Sequence, residues 1–134
     1  MEIKVSTENG RVPITIIHVD GNIDSASYEA FTVKAEDLIK GGTRYVLVDL
    51  SHVPFVSSAG LRALHGIFNQ LRTLHPDTNL SEEAIKKGIA AGTYKSPHLK
   101  LLNLSKEAHT AFTMSGFDMF IEAYTDKAKA VASF

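Results

Sequence analysis

The stretch from Tyr45 to Leu61 reads YVLVDLSHVPFVSSAGL, and it is the most informative part of the sequence for the fold. It opens with a short, continuously apolar segment that ends around Asp49, which is typical of a β-strand covered on both faces. A loop follows, and Ser57 and Ser58 then stand at the predicted start of a helix. The positive end of a helix macrodipole stabilises an anion such as a phosphate, so the pattern suits a serine that switches between neutral and charged states.

Strands and helices are predicted in alternation on both sides of this stretch, from apolar periodicity and from turn residues. The predicted strands cover residues 3–6, 12–19, 45–50, 99–103 and 120–124, with Asn9-Gly10 as a tight turn between the first two. The predicted helices begin at Asp24 or Ser25, near Ser58, and after the capping residues Ser81, Ser105 and Asp126.

This order predicts one α/β domain over residues 1–134. Its sheet is mixed and mostly parallel, with an N-terminal antiparallel hairpin at one edge and about four helices around it. Residues 77–97 interrupt the alternation and are predicted to form an insertion that contains a short extra helix.

Composition excludes several classes of function. The 134 residues carry a formal net charge of -1, so bulk electrostatics does not favour direct nucleic-acid binding. With 0 cysteines there is neither a disulfide nor a thiolate ligand, and none of the 6 histidines has the spacing of a metal site. No segment is apolar enough to insert into a membrane, and a cytoplasmic location is the expectation.

The central stretch resembles the signature of the STAS domain family, which includes bacterial anti-sigma-factor antagonists and the cytoplasmic domains of sulfate transporters. The resemblance is carried by VDLS at 48–51 and by FVSSAGL at 55–61. Supporting matches are the GNID turn at 21–24, the later strand at 99–104, and Gly116-Phe117. The likeness covers about residues 3–76 and 98–125.

In antagonists of this family, the residue two positions before the glycine of the motif is the phosphorylated serine. On this sequence the glycine is Gly60, and the resemblance therefore implies that Ser58 is the phosphoacceptor. It further implies that Asp24 and Asp49 lie near the acceptor. Ser57 stands where the family usually has an aspartate, so the site carries less negative charge than is usual.

Each of these residues also has a plain structural interpretation that stays open at this point. Ser58 or Ser57 can cap the helix by accepting a backbone N–H bond, and Asp24 can cap the first helix. Asp49 can bond to loop amides at the end of its strand. Gly60 is expected to serve close packing or partner approach in support of the site.

The resemblance implies a phosphorylation-switched binding module that acts as an anti-sigma-factor antagonist in transcription regulation. Unphosphorylated protein would bind an anti-sigma factor of the serine-kinase type and free the sigma factor, phosphorylation of Ser58 would release it, and a phosphatase would reset it. The binding surface would include Ser58, the Asp24 turn and the helix from Leu61 to Leu71. A homodimer is left open.

The alternative is a STAS scaffold or a regulatory subunit of a transporter or stress-sensing complex, since the insertion adds surface for assembly. Enzyme activity is not expected, because the nucleophile-elbow pattern needs glycine where Val56 stands, and phosphate-binding glycine loops are missing. No cofactor and no catalytic residue is predicted.

Overall fold

Five strands form one sheet in the order β1-β2-β3-β4-β5 in the computed structural model, which describes residues 1–75 and 81–134. The antiparallel pair β1–β2 forms one edge, and all other neighbours are parallel. This confirms the predicted mixed sheet with an N-terminal hairpin edge. The strands are β1 (Glu2–Asn9), β2 (Pro13–Asp20), β3 (Val46–His52), β4 (Leu99–Leu102) and β5 (Glu122–Tyr124).

The described residues contain five α-helices, and each predicted helix has a counterpart among them. Ser81, Ser105 and Asp126 cap helices as expected, each accepting a backbone N–H bond on its side-chain oxygen. The helix within the predicted insertion is confirmed, while residues 77–80 lie outside the described residues. The helices are α1 (Tyr28–Lys40), α2 (Ser58–Leu74), α3 (Glu82–Ala91), α4 (Lys106–Ser115) and α5 (Lys127–Ser133).

The two faces of the sheet pack against different helices. Side chains alternate along a strand, and Val46, Val48 and Leu50 of β3 join the larger core, which also contains buried residues of α1 and α2. Leu47 faces the other way and joins a smaller core with Ala130 of α5. Both faces of β3 are therefore covered over most of its length, as its continuous apolar run predicts.

The first helix starts later than predicted. We expected a start at Asp24 or Ser25, but α1 begins at Tyr28. The Asp24 carboxylate accepts the N–H of Ala26, and the Asp24 carbonyl accepts the N–H of Ser27. These local bonds hold a turn, and aspartate and serine characteristically compete with helix in this way.

The glycine in the β1–β2 connection has a different role from the one expected. The connection spans three residues between Asn9 and Pro13, and Gly10 does not have a positive φ. A Cβ built on Gly10 would lie 3.0 Å from Cγ1 and 3.1 Å from the carbonyl oxygen of Val131 in α5. Close approach of α5, and not turn geometry, explains the glycine.

No helix within residues 1–75 and 81–134 combines the length and apolar character that crossing a lipid bilayer requires.

An aromatic cluster joins α2 to the segment before β5. The His65 ring stacks on Phe117 at 5.0 Å between centroids, and Phe68 packs against Phe120 at 4.8 Å. Burial lowers the pKa of His65, and the positive charge of Arg72 lowers it further. The folded chain therefore favours the neutral ring.

Acid is expected to weaken the fold through this histidine. A lowered pKa means that the stabilisation is complete above the unfolded value of about 6.5 and is lost as pH falls from there toward the folded value. Urea midpoints measured at about pH 7.5 and about pH 5.5 should therefore fall more for wild type than for His65→Phe, which keeps an aromatic ring but cannot titrate.

His109→Gln provides the matched control, because His109 is exposed on α4. This variant should retain the acid sensitivity of wild type. Equal acid sensitivity in His65→Phe and wild type would show that another group is responsible.

Candidate functional site

The site is built on the N-terminus of α2, at the end of the loop that follows β3. Ser57 is the capping residue, since its Oγ accepts the N–H of Gly60 at 3.3 Å and its backbone is extended. The capping role that the sequence allowed for Ser58 therefore belongs to Ser57. Ser58 is the first residue of the helix, and it is exposed.

Backbone hydrogen bonds fasten this loop to the turn after β2. The N–H of Ile23 donates to the carbonyl of Phe55 at 3.1 Å, and the N–H of Ser57 donates to the carbonyl of Ile23 at 2.9 Å. Ile23 and Val56 form an isolated parallel bridge between the two segments. Asp24, which follows Ile23 directly, is thereby brought close to the start of α2.

The Asp24 carboxylate is engaged within its own turn. Its Oδ1 accepts the N–H of Ala26 at 3.0 Å and the hydroxyl of Ser27 at 3.2 Å, and the residue is half-buried. The hydroxyl of Ser27 also lies 2.7 Å from the carbonyl of Asn22. These bonds hold the Asp24 carboxylate within its own turn, and this turn lies beside Ser57.

Gly60 allows α2 to approach this turn closely. A Cβ added at Gly60 would lie 2.5 Å from the carbonyl oxygen of Ile23 and 2.7 Å from Cγ1 of Val56. Both distances are far below van der Waals contact, so a larger residue requires the backbone to move. The predicted packing role of Gly60 agrees with these distances.

Leu61 connects the start of α2 to the core of the domain. Its N–H donates to the carbonyl of Ser57 at 2.9 Å, closing the first turn of α2. Its side chain is half-buried and packs against the larger core. Exposed Phe55, with 47% of its surface accessible, lies in the same loop as Ser57.

Asp49 lies on β3, but its carboxylate does not bond to the start of α2. Its Oδ2 lies 2.9 Å from Nδ1 of His18, and its Oδ1 accepts the Ser51 hydroxyl at 2.7 Å. Strand alternation places Asp49 on the same face as Leu47, away from the core that contains α2. The structure thus brings Ser57, Ser58, Gly60 and Asp24 together and gives the Asp49 carboxylate other partners.

Hydrogen bonding determines the ionisation of Asp49. Burial alone raises the pKa of this carboxyl, but the hydroxyl and the N–H of Ser51, together with His18, outweigh burial and hold the pKa below its usual value. Asp49 is therefore a carboxylate at neutral pH and acts only as a hydrogen-bond acceptor.

Two further residues belong to the site although the sequence analysis did not place them there. Arg62 is exposed and follows Ser58 by one helical turn, where a side chain shares the same helix surface. The i,i+4 spacing could have identified it. The hydroxyl of Ser105 donates to the carbonyl of Pro54 at 2.8 Å and ties α4 to the loop before Ser57. Ser105 is far from Pro54 along the chain, so no local sequence pattern could have indicated this contact.

The described part of the chain holds no group of three histidine, aspartate or glutamate side chains placed to bind a metal ion. The first turn of α2 contains no acidic residue. An anion at Ser58 would therefore meet the positive end of the helix dipole without repulsion from that turn.

The model of the STAS domain family matches residues 4–77, which include the whole strand-loop-helix site. The chain belongs to the STAS domain family. This confirms the family assignment made from the sequence motif. No match was found among curated proteins.

Three solved structures share the fold over nearly the whole chain. An anti-sigma factor antagonist from Mycobacterium paratuberculosis is 17% identical with a TM-score of 0.68, covering 98% of this chain and 93% of that chain. The anti-sigma factor antagonist SpoIIAA in its unphosphorylated form is 14% identical with a TM-score of 0.68, covering 97% of this chain and 93% of that one. SpoIIAA of Bacillus in the phosphorylated form gives 14% identity and a TM-score of 0.63, covering 97% and 96% of the two chains.

Proposed function

We propose that this STAS protein is a phosphorylation-switched binding module that acts as an anti-sigma-factor antagonist. Its unphosphorylated form binds an anti-sigma factor of the serine-kinase type and thereby frees the sigma factor. Phosphorylation of Ser58 releases the complex, and a phosphatase restores the binding form. The observation that carries this proposal is the exposed hydroxyl of Ser58 at the first position of α2, within the STAS motif.

The surroundings of Ser58 support a role as phosphoacceptor. Phosphorylation adds about 1.5 to 2 negative charges and three acceptor oxygens. The helix N-terminus stabilises such a charge by about 0.3–1 kcal/mol at an exposed site. The guanidinium of Arg62, one turn further along the same helix, is an additional favourable partner. The fold is therefore expected to tolerate the phosphate.

A docked partner is expected not to tolerate it. The new charge lies beside the Asp24 turn and on the surface that the partner covers, so acidic groups on the partner are repelled and its contacts are lost. The change in charge acts on the complex much more than on the free domain. This difference is what makes the modification a switch.

Ser57 replaces the usual aspartate of the motif without loss of the helix cap. Serine and aspartate are both preferred capping residues, and Ser57 makes the capping bond to Gly60. The substitution removes one negative charge next to Ser58. We infer that the phosphate experiences less repulsion here than beside an aspartate.

Kinase assays with point variants test the phosphoacceptor. The full chain is incubated with Mg²⁺, ATP and an anti-sigma factor of the serine-kinase type from the same genome, and intact mass is recorded. Wild type should gain one phosphoryl group, and Ser58→Ala should gain none. Ser57→Ala is the matched control: it costs about 1 kcal/mol of capping energy but keeps the acceptor. Phosphorylation of Ser58→Ala to the wild-type extent would contradict the assignment.

Binding measurements test the switch itself. Isothermal titration of the same kinase in the absence of ATP should give an affinity for the phosphorylated chain at least about tenfold weaker than for the unmodified chain, which corresponds to about 1.4 kcal/mol. Equal affinities for the two forms would rule out release by phosphorylation.

The alternative role as a scaffold or transporter subunit is supported by helix α3, which adds an exposed surface to the domain. Under this alternative, the tagged chain would co-purify with transporter or scaffold subunits and would not be modified by any serine-kinase anti-sigma factor. Co-purification of the kinase favours the antagonist role.

A further inference from the structure

A chain of side-chain hydrogen bonds crosses β1, β2 and β3 on the sheet face opposite to α2. Oγ of Ser6 lies 2.8 Å from Nε2 of His18, and Nδ1 of His18 lies 2.9 Å from Oδ2 of Asp49. Strand register explains both contacts. Asp49 is the register partner of His18 on β3, and Ser6 lies two residues after Lys4, the partner of His18 on β1, and therefore on the same face. We call these three residues, Ser6, His18 and Asp49, the sheet-face relay.

Proton positions in the sheet-face relay follow from the carboxylate. Ionised Asp49 can only accept a hydrogen bond, so Nδ1 of His18 must donate to it. When the ring carries a single proton, the lone pair of Nε2 is directed at Ser6, and the Ser6 hydroxyl donates to it. This is the arrangement of a nucleophile, a general base and an orienting carboxylate. Ser51 holds the second carboxylate oxygen and fixes its orientation.

Reagents can reach this arrangement from solvent. Ser6 is exposed on the edge strand β1, and 36% of the His18 side-chain surface is accessible. A cavity of about 450 Å³ opens beside His18 and Asp49, and Glu2, Lys4 and Asp20 also line it. Lys4 precedes Ser6 on the same strand face, and its ammonium group lies 3.7 Å from a carboxylate oxygen of Glu2.

We propose that Ser6 is a base-activated nucleophile and a site of covalent acylation by activated esters. In the step, Oγ of Ser6 forms a bond to the acyl carbon while its proton passes to Nε2 of His18. The ester C–O bond then breaks, and His18 returns the proton to the departing oxygen. The products are O-acyl-Ser6 and a free alcohol, with no further reactant required.

The experiment uses p-nitrophenyl acetate as the probe with the full chain. Release of p-nitrophenol gives the rate, and peptide mass mapping locates the acetyl group. Wild type should be acetylated at Ser6 at least about tenfold faster than His18→Ala, because a positioned general base contributes about 10²–10⁴-fold. Ser6→Ala should show no acetylation at position 6 and a correspondingly slower release.

Matched controls separate the relay from general surface reactivity. Thr7→Ala removes the hydroxyl of the neighbouring exposed residue, whose side chain lies on the other face of β1, and His109→Ala removes an exposed histidine on α4. Both should react like wild type. Asp49→Asn tests the positioning role: it should slow acetylation and shift the pH at which the reaction is half-maximal, an effect that a purely structural residue would not have.

Two outcomes overturn the proposal. One is acetylation of Ser6 at the same rate in His18→Ala and in wild type, with circular dichroism showing that both are folded. The other is acetylation confined to lysines or the N-terminal amine. The result does not depend on Ser58, so a failure here leaves the proposed phosphorylation switch untouched.

Discussion

Replacing Gly60 with alanine is expected to lower the free energy of unfolding by about 1–3 kcal/mol, the range of an overpacked core. The added methyl group would lie 2.5 Å from the carbonyl oxygen of Ile23, a backbone atom that cannot move by rotating a side chain. Relief requires α2 to shift away from the turn that carries Ile23. The same shift weakens the hydrogen bond from the N–H of Ser57 to the Ile23 carbonyl.

Gly66→Ala is a close control because it makes the same change in the same helix. A Cβ at Gly66 has no neighbour within 4 Å, and the residue is exposed. Alanine is favoured over glycine in a helix interior by about 0.5–1 kcal/mol, so this variant should be slightly more stable than wild type. Urea denaturation should show a decrease in the free energy of unfolding for Gly60→Ala and an increase for Gly66→Ala. A Gly60→Ala variant as stable as Gly66→Ala would show that the close approach to Ile23 is not maintained in solution.

The Gly60 substitution also connects stability to the proposed switch. It displaces the first turn of α2, which presents Ser58 to a kinase, without altering the hydroxyl itself. We therefore expect slower phosphorylation of Gly60→Ala than of Gly66→Ala in the kinase assay described above. A stability loss without a change in the phosphorylation rate would separate the packing role of Gly60 from the presentation of Ser58.

The fold could be predicted from the sequence because its local signals agree with one another. Apolar runs marked the strands, and serine or aspartate caps marked three helix starts that the structure contains. The start of α1 was wrong because Asp24 and Ser27 form a turn with the backbone, and such a turn uses the same residue types as a helix cap.

The candidate site was only partly predictable for a related reason. Two adjacent serines at a helix start do not reveal which one is the cap, and the extended backbone of Ser57 decides it. The surroundings of Asp49 could not be predicted from the sequence. Its strand is apolar on both faces, so periodicity does not indicate which face the carboxylate occupies. Its partner His18 comes from a different strand, and only the pairing of β2 with β3 brings the two side chains together.

Replacing Phe68 with alanine is expected to cost about 3–5 kcal/mol, the usual range for a fully buried phenylalanine. Phe68 has only 2% of its surface exposed, and its ring packs against Phe120 at 4.8 Å and Tyr94 at 6.3 Å between centroids. Arg72 also lies over the ring at 5.7 Å from its centroid. Truncation removes apolar contacts on several sides and leaves a cavity that fixed backbone elements cannot fully close.

Met114→Ala serves as the control for size and hydrophobicity, because Met114 is 83% exposed on α4. Met114→Ala should change the free energy of unfolding by no more than about 0.5 kcal/mol. Urea denaturation measures both variants, and a loss below about 1 kcal/mol for Phe68→Ala would contradict the packing described for this ring.

The loss of stability in Phe68→Ala should be largest in the segment where the insertion packs against the rest of the domain. Tyr94 lies three residues after the end of α3, and Ile85 of α3, which is 2% exposed, belongs to the same core as Phe68. Loss of the ring removes packing contacts of this segment. Amide hydrogen exchange should therefore accelerate more in α3 than in α1, which packs on a different part of α2. Uniform acceleration over both helices would instead indicate that the insertion and the rest of the domain unfold as one unit.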